Sequence, residues 1–161
     1  MTRRLQASPF AVLPDAPPPL RHTIQRRVMF REVDAMAIVW HGRYAELFED
    51  ASTELRRRCG LSYEAFLLAQ LRAPVVQLHI EYGRPLFLDE QIAVRASLIW
   101  TEAARINLEY EVLNQEGQTA ATGWSVQLFT DAATGAPCLL SPPMLERCRE
   151  QWRSGALRSL Q

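Results

Sequence analysis

The strongest constraint in this chain is a change of hydrophobic period. After Pro74 the apolar residues recur at every second position in four successive runs. Val76, Leu78, Ile80 and Tyr82 share one face, with Gln77, His79 and Glu81 opposite. Ile92, Val94, Ala96, Leu98 and Trp100 alternate with polar positions that include Arg95 and Ser97, and Ile106, Leu108, Tyr110 and Val112 alternate with Arg105, Asn107, Glu109 and Glu111. In the last run Trp124, Val126 and Leu128 are expected to point inward, with Ser125 and Gln127 outward. Such alternation marks strands with one buried face, and hence an antiparallel sheet. The connectors at 101–104 and 114–117 are short, as hairpins require.

Before Pro74 the period is different. Tyr44, Leu47, Phe48, Ala51 and Leu55 fall at i, i+3, i+4, i+7 and i+11, which is the stripe of one long helix. Arg56, Arg57 and Arg58 suit the negative end of its dipole, and Gly60 supplies a left-handed cap. A second short helix is expected over 62–71, with Ser62 as its N-cap. A short strand is expected at 24–30, structure beginning near His22. Ser141-Pro142-Pro143 opens a terminal helix, about 142–152, with Leu145, Cys148 and Trp152 on its apolar side. Residues 1–21 read as a Pro-rich arm, with 16–20 extended; 22–161 read as a single domain with its core in 22–131. The order is strand, long helix, short helix, four strands. This is an α+β arrangement in which one long central helix covers the concave face of one curved antiparallel sheet. No βαβ repeat and no Gly-rich turn after a strand is present, which excludes a Rossmann or TIM architecture.

Composition removes several function classes. A length of 161 residues fits one domain and allows a full core without disulfides or metal. Eighteen basic residues balance eighteen acidic ones, so no overall field favours nucleic acid or anionic lipid. Every basic residue is Arg. The absence of Lys rules out a Lys Schiff base and a P-loop with its phosphate-binding Lys. Cys59, Cys138 and Cys148 form no C-x-x-C pair, and His22, His41 and His79 lack metal-ligand spacing, so no metal site is expected. No apolar run approaches the ~18 residues that span a bilayer. The stretch behind Arg3-Arg4 is too short for a twin-arginine signal, and a cytoplasmic location is expected.

Chemistry concentrates in residues 28–52, VMFREVDAMAIVWHGRYAELFEDAS. Phe30, Asp34, Ile38-Val39-Trp40-His41, Tyr44, Glu49 and Ala51 make this block resemble the 4-hydroxybenzoyl-CoA thioesterase and YbgC-like branch of the hotdog-fold acyl-CoA thioesterases. Ile80-Glu81-Tyr82, Arg84-Pro85-Leu86 and Asp89-Glu90 resemble that family's strand–proline–acidic-turn element. The resemblance spans roughly residues 22–131. It implies a hotdog fold, a homodimer or homotetramer, and hydrolysis of an acyl-CoA or aroyl-CoA thioester with no metal or cofactor. It places the essential carboxylate on Asp34 and the carbonyl-polarising backbone N–H on His41. Trp40, Gly42, Tyr44 and Glu49 are the expected substrate-binding positions, and Trp40 matches the aroyl branch. Three positions depart from the family's pattern. Glu32 stands where Asp is usual, Ala37 where Gly is favoured, and Arg43 where Asn is common.

The residues support this chemistry on their own terms. Free N–H groups at a helix start carry about half a positive charge and can hold a developing oxyanion. Asp34 lies one loop before such a start at His41-Gly42. It could attack the carbonyl or activate a water. The plainer reading of Asp34 is a turn residue, and of His41 a capping residue. Two alternatives keep the scaffold: a thioesterase acting on acyl carrier protein, and a non-hydrolytic thioester-binding module. Strand edges left open by a small sheet give a motive for self-association.

Overall fold

The structure is a computed structural model that describes residues 8–160; the Arg3-Arg4 pair lies outside the described residues. Five strands form one antiparallel sheet: β1 (Leu20–Arg27), β3 (Val75–Tyr82), β4 (Gln91–Ile99), β5 (Arg105–Leu113) and β6 (Thr119–Leu128), in the order β1-β4-β5-β6-β3. The helix α1 (Tyr44–Arg58) packs on one face, and α2 (Tyr63–Leu68) follows it. A two-residue pair, β2 (Leu71–Arg72) with β7 (Thr130–Asp131), and a terminal helix, α3 (Pro143–Ser154), complete the order.

The long helix forms as its period dictates. Tyr44, Leu47, Phe48, Ala51 and Leu55 are buried against the sheet, and Gly60 follows the helix end at φ 79°. Ser62 caps α2, its hydroxyl accepting from the Ala65 N–H at 3.2 Å. The helix comes close to the sheet at Phe48, whose ring stacks on Tyr110 with centroids 4.3 Å apart. Gly123 lies beneath. A Cβ there would meet the Phe48 ring at 2.4 Å and the His79 carbonyl at 2.5 Å, so this contact admits only glycine.

The structure corrects three expectations. The first strand runs from Leu20 to Arg27, ahead of the expected 24–30, because Phe30–Glu32 turns into a 3-10 helix capped by Glu32. In β3, Leu78, Ile80 and Tyr82 do face the helix side, yet Leu78 stays 47% exposed and Val76 and Tyr82 are also exposed. β3 is an edge strand, and only one side of it has a neighbour. In β6 the faces are reversed. Ala121, Gly123, Ser125 and Gln127 are buried on the helix side, whereas Trp124 lies on the other face. There Trp124 stacks on His79 and takes the edge of Phe10, with centroids 5.5 and 6.0 Å away.

The Pro-rich arm is held at separate points along its described length, with 11–15 exposed between them. Ala16 packs against the core, and the Pro18 carbonyl accepts from Trp152 Nε1 at 2.8 Å. α3 begins at Pro143 and buries Leu145, Cys148 and Trp152, as the sequence indicated. Trp152 meets Trp100 edge-on at 5.1 Å. Arg149 fixes the 101–104 connector by donating to the Thr101 and Ala103 carbonyls. The Cys59 and Cys148 thiols are buried partners, and their contact together with burial pushes the Cys59 thiol well up. Among the described residues no helix is long and apolar enough to cross a membrane.

Candidate active site

Asp34 opens a tight loop. Val33 and Val39 pair across its base, the Asp34 N–H donates to the Ile38 carbonyl at 2.9 Å, and the Trp40 N–H donates to the Glu32 carbonyl at 2.9 Å. Asp34 Oδ1 accepts from the Met36 N–H at 2.8 Å, an Asx turn that holds the half-buried side chain in one orientation. The second carboxylate oxygen has no partner among the described residues. Ala37 closes the turn at φ 60°, a left-handed conformation that costs a residue with a Cβ about 1–2 kcal/mol. This is the physical reason a glycine suits position 37. The loop keeps the conformation because pairing of Ile38 with Phe87, and of the Val39 N–H with the Leu86 carbonyl, pins its far side.

The register of that loop leads directly to the helix tip. Two rungs down from Asp34 the chain reaches Trp40, and His41–Arg43 forms one 3-10 turn that continues into α1. No side chain caps either start, so the N–H groups of His41 and Gly42 have no partner inside the turn. The Trp40 ring lies over Gly42, where a Cβ would come within 2.3–2.8 Å of its carbons. The exposed His41 ring sits 5.1 Å from the Trp40 ring, and its carbonyl accepts from the Tyr82 hydroxyl at 2.9 Å. Tyr44 meets Tyr82 edge-on at 5.0 Å. Burial, with smaller contributions from Tyr82 and Glu90, pushes the Tyr44 phenol up to about 12, so it stays protonated at neutral pH.

The other two departures have local explanations. Glu32 is buried; Oε2 accepts from the Met29 N–H at 2.8 Å and Oε1 pairs with Arg26, which also reaches Asp50. Its carboxylate caps the 30–32 turn and ties it to β1. Arg43 pairs with Glu46 at 2.6 Å one turn along the helix. Glu90, in the acidic turn named above, is buried and accepts from the Phe87 and Gln115 N–H groups, fixing the turn against which the Asp34 loop pairs. Among the described residues no cluster of three or more His, Cys, Asp or Glu could hold a metal ion.

A cavity of about 330 Å³ runs along α1 beneath β3. Its apolar walls include Ala45, Phe48, Val75 and Leu78, and Arg56, Tyr63 and Gln127 contribute polar groups. Of the expected site residues Glu49 lines it; Asp34, Trp40, His41, Gly42 and Tyr44 do not. Glu49 is exposed on the helix and accepts from the Tyr63 hydroxyl at 3.0 Å. Arg56 belongs to the run whose charge suits the negative end of the helix dipole. It is instead 5% exposed and turned inward, whereas Arg57 and Arg58 are exposed and pair with Glu54. The spacing carried a signal for this: Ser52 and Arg56 follow Phe48 at steps of four, on its buried face.

Comparison with known proteins agrees with this fold. The profile of the thioesterase-like superfamily matches residues 28–148. The acyl-CoA thioester hydrolase YbgC of Escherichia coli O6:H1 is 28% identical over 97 residues, covering 55% of this chain and 72% of the relative. The acyl-CoA thioesterase YbgC of Haemophilus influenzae is 32% identical over 88 residues, covering 54% of this chain and 65% of the relative. The crystal structure of a DHNA-CoA thioesterase from Staphylococcus aureus superposes with a TM-score of 0.75 at 23% identity, covering 86% of this chain and 95% of that one. That likeness shows the hotdog fold.

Proposed function

Since the chain belongs to the thioesterase-like superfamily, we propose that it hydrolyses an acyl-CoA or aroyl-CoA thioester to the free acid and CoA. The observation that carries the reading is the backbone ladder that leads from Asp34, its carboxylate oriented by an Asx turn, to an uncapped helix start. The thioester oxygen lies against the N–H groups at His41 and Gly42, where the positive end of α1 stabilises the oxyanion. Asp34 then acts in one of two ways. It attacks the carbonyl carbon, the C–S bond breaks, CoA leaves as thiolate, and water cleaves the mixed anhydride. Otherwise it takes a proton from a water that attacks the same carbon, after which the C–S bond breaks and CoA leaves as thiolate. Trp40, Tyr44 and Glu49 border the substrate, the tyrosine as a neutral group.

The assay is release of CoA thiol over a panel of acyl-CoAs by the wild type and by Asp34→Asn. Turnover is expected with the wild type and not with the variant, while the variant keeps its fold by circular dichroism. Near wild-type turnover in the variant removes Asp34 from the role.

The same reading includes a homodimer or a homotetramer. The exposed edge β3 carries Val75, Val76, Leu78 and Tyr82, the pattern of an edge that another chain covers. Light scattering is expected to give a multiple of the 18.4 kDa protomer, and Leu78→Lys to give the protomer mass. A wild-type protomer at micromolar concentration contradicts this.

A further inference from the structure

We infer that the cavity along α1 takes acyl groups that end in a carboxylate, and that Arg56 reads that far end. The inference rests on the thioesterase reading above and names the substrate class of the same site. Three observations carry it.

The cavity points the right way. It starts at Ala45, about one turn past Gly42, and reaches Arg56, eleven residues further along α1 and therefore roughly 16 Å down the axis. A thioester carbonyl held at the helix start sends its acyl group into this space. Phe48, Val75 and Leu78 supply apolar surface for methylene groups or a ring.

The deep end is built for an anion. The Arg56 side chain is almost wholly buried and forms no ion pair with a carboxylate among the described residues. Of the five N–H donors of its guanidinium, two are taken: Nη1 donates to Gln127 Oε1 at 3.0 Å and Nη2 to the Tyr63 hydroxyl at 3.1 Å. Nε is buried with no partner among the described residues. Glu49 touches the guanidinium only through Tyr63, and its own carboxylate is exposed to water, which screens it. A buried cation with unmatched donors is costly in the empty site.

A carboxylate matches these donors in a way that a methyl group cannot. A guanidinium offers a carboxylate two parallel charge-assisted hydrogen bonds. A methyl-ended chain of the same length leaves the donors unmatched and removes water from them as well. Sites built to hydrogen-bond a substrate discriminate strongly against the analogue that lacks the bonding group. Arg56 thereby acts as a specificity-determining residue. It makes no bond to the reacting atoms.

The test compares three series of CoA thioesters matched in length: carboxylate-ended, hydroxyl-ended and methyl-ended. In the wild type the carboxylate-ended series is expected to exceed both others in kcat/KM by at least tenfold at its best length, mainly through KM. Arg56→Gln is expected to bring the ratio close to one. Equal or greater kcat/KM for the methyl-ended or hydroxyl-ended series in the wild type overturns the inference, and this comparison needs no variant to fold. The same three series as non-cleavable CoA thioethers are read by thermal shift. If no thioester releases thiol, the hydrolase reading fails and the thermal shift decides the inference separately. A larger Tm rise with the carboxylate-ended thioether supports it, and equal rises overturn it.

Discussion

The two ends of α1 are built on opposite principles. At the start, the polar groups are open: two N–H groups without a cap, an exposed His41, and a half-buried Asp34 with one free oxygen. At the far end, Arg56, Gln127 and Tyr63 form an interlocked set, with the first two buried beneath the sheet edge. Groups that face water can change without unsettling the fold, whereas buried partners leave one another unmatched when one is removed. The start should therefore carry turnover, and the far end both stability and the choice of acyl group.

The largest effect expected from this contrast is on turnover. Asp34→Ala should lower kcat by about 10²–10⁴-fold, the usual worth of a positioned acid or base, with the urea midpoint unchanged. A matching loss of stability would erase the contrast. At the other end, Gln127→Leu removes the acceptor of a buried cation and should cost about 3 kcal/mol in urea unfolding. Little stability change there would show that the network is looser than its distances indicate.

Tyr44 is the buried exception at the start and sharpens the comparison in alkali. Its folded value of about 12 lies above the unfolded 10.0, so its contribution is complete below pH 10 and disappears as pH rises through 12. Two units correspond to about 2–3 kcal/mol lost across that window. Unfolding curves between pH 9 and 12 should show that slope in the wild type and a shallower one in Tyr44→Phe. The smallest effect is expected at the loop. Ala37→Gly relieves a left-handed alanine but loosens the unfolded chain, for a net gain of about 0.5–1 kcal/mol. A loss of stability would show that the loop does not strain the alanine.

Much of this arrangement could be read from the residues, and the failures share a cause. The stripe of α1 and the alternation of β4 and β5 were plain because both elements meet neighbours inside the protomer. The alternation of β3 overstates its burial, because burial at an edge depends on what lies beyond it. The alternation of β6 points the wrong way, because its bulkiest residue is not an interior one. The helix sits so close at Phe48 that only Gly123 and its small or polar companions fit beneath it. Trp124 faces the other way, against His79 and Phe10. At the site, the helix start and the carboxylate before it were visible as a pattern of types and spacing. Arg56 was hidden in a run of three arginines, two of which have the surface role the run suggests.

The Pro18–Trp152 hydrogen bond has a consequence for how the molecule is made. It joins groups 134 positions apart, while β1 waits for β4, Leu20 meeting Leu98. A nascent chain emerging from the ribosome must therefore keep β1 idle until β4 has emerged, and the Pro18 clasp open until Trp152 has followed. Such non-local closure slows assembly, and it makes any stall between those points one where the half-built sheet stays exposed to other chains.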